Sequence, residues 1–311
     1  MSAFVYLVIA VALLVVLYVL LSYQVYRRAF VPPRATSLDD FAFTPFEFQA
    51  DYEDVELVTA DGVNFGAWHF RQPGSPQTVI VSGGHKGQRQ GTLGIAVALW
   101  RKGFNVILYS YRGMAGSDRA PITFGIKEVL ELQATVAFAR KRIPDARIGF
   151  LGYSMGAVVA LLGAAGEPGV QALVLDSPFS DLRTLLVENV RSASKVPGTP
   201  FVWLAGLMFW LRTRSTLSAC RPIDVLNALE PRPLFFIHGG ADAMTSVSHS
   251  RRLYDAYRGP REIWIVQGAP HTGAYFADRP LYVERVAGFF ARHLGLDRSS
   301  HLRLVEEQEV S

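Results

Sequence analysis

The stretch "IGFLGYSMGAVVALLGAAG", Ile148 to Gly166, sets a serine between two glycines, after an apolar run and before a run of small residues. The apolar run has the length of a buried strand, and the small residues suit a helix packed closely against it. A serine at such a junction is either a nucleophile on a tight turn or a hydroxyl capping the helix. The pentapeptide Gly152 to Gly156 is by itself a short motif that a glycine-rich chain meets by chance. Its place between strand and helix is what a nucleophile elbow demands, because a sharp strained turn leaves no room for side chains two residues to either side of the serine.

Around this stretch the chain alternates between two kinds of segment. "DVELVTADGVNFGAWHFRQ" reads as a β-hairpin about the turn Ala60-Asp61-Gly62. "QTVIVSGG", "NVILYSYRG", "RIGFLGYS", "QALVLDSP", "PLFFIHGG" and "EIWIVQG" are short apolar runs without alternation, as strands covered on both faces require. Helical stretches lie between them, near residues 91–101, 126–142, 155–165, 247–257 and 281–293. The pattern predicts an α/β domain over residues 51–298, with a mostly parallel sheet of about eight strands and helices on both faces. About 50 residues separate two of the strands, far more than a simple crossover needs, so residues 182–231 read as an insertion. Its apolar segment "PFVWLAGLMFWLRTR" suits a helix over a pocket, or equally a core helix.

A serine hydroxyl is a poor nucleophile unless a base takes its proton and a third group orients that base. In the α/β order an acid and then a histidine should follow the serine, each in a loop after a strand. Asp242 in "PLFFIHGGADAM" and His271 in "EIWIVQGAPHTGAY" meet both conditions. Open α/β sheets place their sites at these carboxyl ends of the strands.

With these residues in hand, the chain resembles an α/β-hydrolase of the serine esterase, lipase and thioesterase branch. The resemblance runs from Tyr52 to Leu296 through "TADGVNFGAWHF", "YRGMAGSD", "LGYSMGA", "DSPFSDL", "RPIDVLNALEPRPLFFIHGGAD" and "GAPHTG". It implies a triad of Ser154, Asp242 and His271 and an oxyanion hole that takes one N–H from Met155. The second N–H should come from "VSGGHKGQRQG", where Ser82 stands in place of the usual histidine. Gly83, Gly84 and His85 are all candidates there, and the register favours Gly84. Asp176 also follows a strand and is a rival to orient His271. His238 in "IHG" reads as structural, His85 as a surface or pocket-lining group, and Asp118 as a loop-stabilising residue.

The first residues belong to a different solvent. "FVYLVIAVALLVVLYVLL", Phe4 to Leu21, is 18 residues without a charge, enough with its flanks to cross a hydrocarbon core. No basic residue precedes it and no A-x-A site follows it, which favours an uncleaved signal anchor over residues 1–26 rather than a cleaved signal peptide. Arg27, Arg28 and Arg34 follow the segment and predict a cytoplasmic catalytic domain on a single-pass membrane protein. A linker over 27–50 and a polar tail over 299–311 complete the organisation.

Composition narrows the function. The 311 residues are 50% hydrophobic and 19% charged, with a formal charge of +4 spread along the chain, which argues against a nucleic-acid partner. The one cysteine, Cys220, has no internal disulfide partner and belongs to no metal-ligand cluster, and the triad chemistry calls for no metal or organic cofactor. The expected activity is hydrolysis of a small-molecule or lipid ester or thioester with an apolar acyl group. A serine peptidase of the same fold, or a non-catalytic membrane interaction protein on this scaffold, are the alternatives. The first would normally bring a large additional domain, and the second a broken triad.

Overall fold

The computed structural model describes residues 3–33, 43–87 and 89–296. The tail expected over 299–311 and the centre of the expected linker lie outside these residues.

The hairpin pairs β1 (Tyr52–Val58) with β2 (Asn64–Phe70) in antiparallel register, Tyr52 opposite Phe70 and Val58 opposite Asn64. The six apolar runs become β3 (Gln77–Ser82), β4 (Asn105–Tyr109), β5 (Arg147–Tyr153), β6 (Val170–Asp176), β7 (Leu234–Gly239) and β8 (Arg261–Val266). They form one eight-stranded sheet in the order β1-β2-β4-β3-β5-β6-β7-β8, in which β4, β3, β5, β6, β7 and β8 are parallel. The predicted α/β-hydrolase architecture is therefore the observed one. β3, β4 and β7 are buried at every residue because helices cover both faces.

Two apolar layers result. One side holds α3 (Val129–Arg142) and α4 (Met155–Ala165) against Ile80, Ile107, Phe150 and Leu173. The other holds α2 (Leu93–Trp100) and α9 (Arg279–Leu294) against Val79, Leu108, Leu151 and Val174. Between β6 and β7 the insertion folds as α5 (Leu182–Ser194), α6 (Thr199–Thr213) and two short 3-10 turns. After β7 and β8 come α7 (Val247–Ala256) and α8 (Ala274–Ala277).

The apolar N-terminus is one helix, α1 (Ala3–Phe30), about 42 Å long at helical rise. Its most apolar window has a mean hydropathy of 3.1 and none of it is buried in the protein, so α1 is long and apolar enough to cross a bilayer. The helix does not stop at residue 26. It runs four residues into the stretch read as linker because Ala29 and Phe30 are buried in the domain core, with the Phe30 ring 4.4 Å from Phe209 and 5.7 Å from Phe124.

One buried charge ties the hairpin to the sheet. Arg112, 1% exposed, bonds Glu131 of α3 at 2.7 Å and Asp61 of the hairpin turn at 2.8 Å. Burial raises the Glu131 carboxyl to about 7 although Arg112 pulls it down. Removing one partner of such a pair strands the others without a counter-charge. Arg112→Ala should therefore lower the unfolding free energy by about 3–5 kcal/mol, read by chemical denaturation in detergent.

Candidate active site

β5 ends at Tyr153 and α4 begins at Met155, so Ser154 alone makes the turn between them. Its backbone sits at φ 52°, ψ −112°, a region that non-glycine residues rarely adopt. The Ser154 N–H donates to the Asp176 carbonyl at 2.7 Å, which fixes the turn to the neighbouring strand. A side chain at Gly152 would collide with the Gly156 carbonyl, and a Cβ at Gly156 would lie 2.6 Å from the Gly83 carbonyl and the Ser82 hydroxyl. Both glycines are thus dictated by space. The Ser154 hydroxyl makes no capping bond to α4, so the capping reading fails.

The hydroxyl instead meets His271, whose Nε2 lies 2.9 Å from Ser154 Oγ. His271 Nδ1 lies 2.6 Å from Asp242 Oδ2. One tautomer satisfies both contacts: Nδ1–H donates to Asp242, and Nε2 accepts the serine proton. The loops carrying the two residues are laced together, with Gly240 N–H donating to the Val266 carbonyl at 2.7 Å and Ala241 N–H to the Ala269 carbonyl at 2.9 Å. The three residues singled out from sequence are therefore one hydrogen-bonded chain, although more than 80 residues separate Ser154 from Asp242.

Asp242 is held as a carboxylate. Burial alone would raise its pKa, but bonds from His238, His271 and the Thr245 N–H overcome this and hold it well below the usual range. The second acceptor oxygen, Oδ1, takes the Met244 and Thr245 N–H groups, each at 2.8 Å. His238 does more than pack: its Nε2 lies 3.2 Å from Asp242 Oδ2 and 2.8 Å from the Thr245 carbonyl, while Nδ1 meets the Ser250 hydroxyl at 2.7 Å. That bond to the acid was not legible in "IHG" except as the i, i+4 spacing of His238 and Asp242.

Asp176 is bonded to the Ser177 hydroxyl and the Tyr282 hydroxyl, each at 2.9 Å, rather than to His271. Complete burial raises its pKa to about 6 against those two bonds. Asp118 accepts both the backbone and side-chain nitrogen of Asn64 at 2.8 Å and secures its loop to β2.

Met155 is the first residue of α4, so its N–H has no partner within the helix. Gly84 lies against the serine: a Cβ there would be 3.3 Å from Ser154 Cβ and 4.0 Å from Oγ. Ser82, in the position of the usual histidine, accepts the Tyr111 hydroxyl at 2.7 Å. His85 lines the space beside Ser154, stacks on Phe124 at 4.5 Å and donates through Nε2 to the Ala29 carbonyl at 2.7 Å. Burial pushes its pKa down to about 4 despite that bond, so it is neutral near pH 7. Lys86 Nζ donates to the Arg28 carbonyl at 2.7 Å. The loop that flanks the serine therefore caps the end of α1, which no local sequence signal announced.

Two cavities meet at Ser154 and His271. One, of about 250 Å³, is lined by Gly83, Tyr153, Thr272, Tyr275 and Phe276. The other, of about 440 Å³ and mostly apolar, lies under α5, with Leu185, Leu186 and Val190 on its wall. Among the described residues no group of three or more His, Cys, Asp or Glu side chains is placed to hold a metal ion.

A family model described as alpha/beta hydrolase fold matches residues 81–199. The Pyrococcus furiosus esterase Pf2001 superposes with a TM-score of 0.69 at 26% identity, covering 85% of this chain and 99% of its own. The uncharacterized protein YqkD of Bacillus subtilis is 27% identical over 259 residues, 82% of this chain and 84% of the relative. An uncharacterized membrane protein of Saccharomyces cerevisiae, YNL320W, is 27% identical over 245 residues, 75% of this chain and 78% of its own. The chain has the α/β-hydrolase fold, and its esterase neighbours support hydrolase chemistry.

The two buried acids predict opposite pH behaviour. With its folded pKa raised from 3.8 to about 6, Asp176 favours the folded state fully below about pH 4, and that advantage is lost as the pH rises through 6. The penalty above pH 6 is on the order of 3 kcal/mol. Asp176→Asn lacks this titration, so its melting temperature should gain on wild type between pH 4 and 6 and keep a constant offset above.

Proposed function

We propose that the protein is a membrane-anchored serine hydrolase that cleaves carboxylic ester or thioester bonds of apolar acyl substrates. The observation that carries this reading is the chain Asp242–His271–Ser154, with bonds of 2.6 and 2.9 Å, ending on a serine held at φ 52° between strand and helix. His271 takes the hydroxyl proton as Ser154 Oγ attacks the carbonyl carbon, and Asp242 stabilises the imidazolium that forms. The Met155 and Gly84 N–H groups bind the developing oxyanion. His271 then gives its proton to the departing alcohol or thiol, the acyl group stays on Ser154, and water activated by the same histidine releases it as the carboxylic acid.

The substrate class follows from the walls. The larger cavity beside Ser154 is lined by Phe124, Phe179, Leu185, Leu186 and Val190, which favours an acyl chain over a polar one. α1 supports a single-pass anchor, and Arg27 and Arg28 in its last turn favour a cytoplasmic catalytic domain with the N-terminus on the other side.

Ser154→Ala should abolish labelling by a fluorophosphonate probe, and undiminished labelling sinks the nucleophile assignment. Asp242→Asn should keep the fold and lower kcat on an activated ester by about 10³–10⁴-fold, because the histidine loses its orienting acceptor. In sealed vesicles the catalytic domain should be cut by added protease only when its side faces out, which reads the orientation directly.

A further inference from the structure

The larger cavity has a wall that the triad chemistry does not need. Besides α5 it is bounded by α1, from Ala29 up to Leu21, and by Phe201 at the start of α6. The nine residues from Leu21 to Ala29 carry that wall about 12 Å along α1. Leu21 is the last residue of the apolar run that begins at Phe4, so the cavity ends beside the segment long enough to span a bilayer.

α6 lies along the same stretch of α1. The Tyr18 hydroxyl donates to the Pro200 carbonyl at 2.9 Å and its ring lies 5.6 Å from Phe201, while Phe30 meets Phe209 at the other end. The two helices therefore run in the same direction, and the first turn of α6 sits beside the apolar part of α1. The inner face of α6 buries Val202, Ala205 and Phe209. Its outer face exposes Trp203, Leu207, Trp210 and Leu211, spaced as one helical stripe. α1, against which α6 packs, exposes the same kind of apolar surface. Arg27 and Arg28 close one helix, and Arg212 and Arg214 close the other, at matching ends. Apolar flank and basic end together fit a bilayer and its headgroup boundary.

We propose that the space between α1, α5 and α6 is an acyl-chain site entered sideways from the bilayer leaflet. A lipid ester of a small alcohol reaches Ser154 with its chain laid against α1, so the anchor is also a wall of the binding site. This rests on the serine-hydrolase reading above. The alcohol is small because the second cavity on the other side of Ser154 holds only about 250 Å³, below the roughly 300–1,000 Å³ of drug-sized sites.

The test uses the full chain in phosphatidylcholine vesicles. With Ser154→Ala protein, a monopalmitoylglycerol carrying a diazirine on its chain should crosslink to α1 between Leu21 and Ala29 and to α5 between Leu185 and Val190. Val190→Trp should remove that labelling and leave the label on residues 4–16 unchanged. Uniform labelling along α1 that ignores Val190→Trp overturns the site. In the active protein, Val190→Trp or Val25→Trp on the opposite wall should lower kcat/KM for a palmitoyl ester relative to a butyryl ester by about tenfold or more. Fluorophosphonate labelling of both variants reports an intact nucleophile, and an unchanged ratio in labelled protein again overturns the proposal. Faster cleavage of an S-palmitoylated peptide than of monopalmitoylglycerol overturns the small-alcohol assignment. If the site-specific crosslink persists but neither ester is hydrolysed, the acyl site stands and the hydrolase reading fails.

Discussion

Ser154 occupies a backbone conformation that costs on the order of 1–3 kcal/mol, and the surrounding structure is arranged to keep it there. The strand before it is fixed by parallel ladders to β3 and β6, the helix after it is buried along nearly its whole length, and the Asp176 carbonyl takes its N–H. Any side chain at Gly152 or Gly156 would break the close approach of β5, α4 and the loop after β3. The strain lifts the hydroxyl off the sheet toward His271 and brings the Gly84 backbone against it. Relaxing the turn would lose both at once.

The electrostatics of the site depend on where each buried acid finds its donors. Asp242 and Asp176 both follow parallel strands, β7 and β6, and both are desolvated. Asp242 receives two histidines and two backbone N–H groups and stays ionised, whereas Asp176 has two hydroxyls and is pushed up to about 6. A carboxylate needs strong donors to remain charged when buried. His238 contributes to that stability from a position outside both cavities.

The end of α1 is the second organising point. The last carbonyls of a helix need partners, and here Lys86, His85 and the Ile122 N–H supply them for Arg28, Ala29 and Phe30. The cation of Lys86 also suits the negative end of the helix dipole. Because His85 and Lys86 directly follow Gly84, the loop beside Ser154 is held in place by the helix that is apolar enough to cross a bilayer. The N-terminal helix and the α/β domain are one packed unit at this seam.

Much of this was legible in the chain. Continuous apolar runs fix buried parallel strands, because only a sheet covered on both faces needs them. The order of Ser154, Asp242 and His271, each beyond its own run, followed from where such sheets end. The 18-residue uncharged segment carried its own solvent preference. Tertiary structure alone decided what depends on contacts between distant segments: the support of His238 for Asp242, the bond of His85 to the end of α1, and the role of α5 and α1 as cavity walls. "PFVWLAGLMFWLRTR" has the same composition whether it covers a pocket or fills a core, and only the fold showed it packed on α1 with Phe201 on the cavity wall. Local pattern reports which face of an element avoids water, and it carries no information on which partner covers that face.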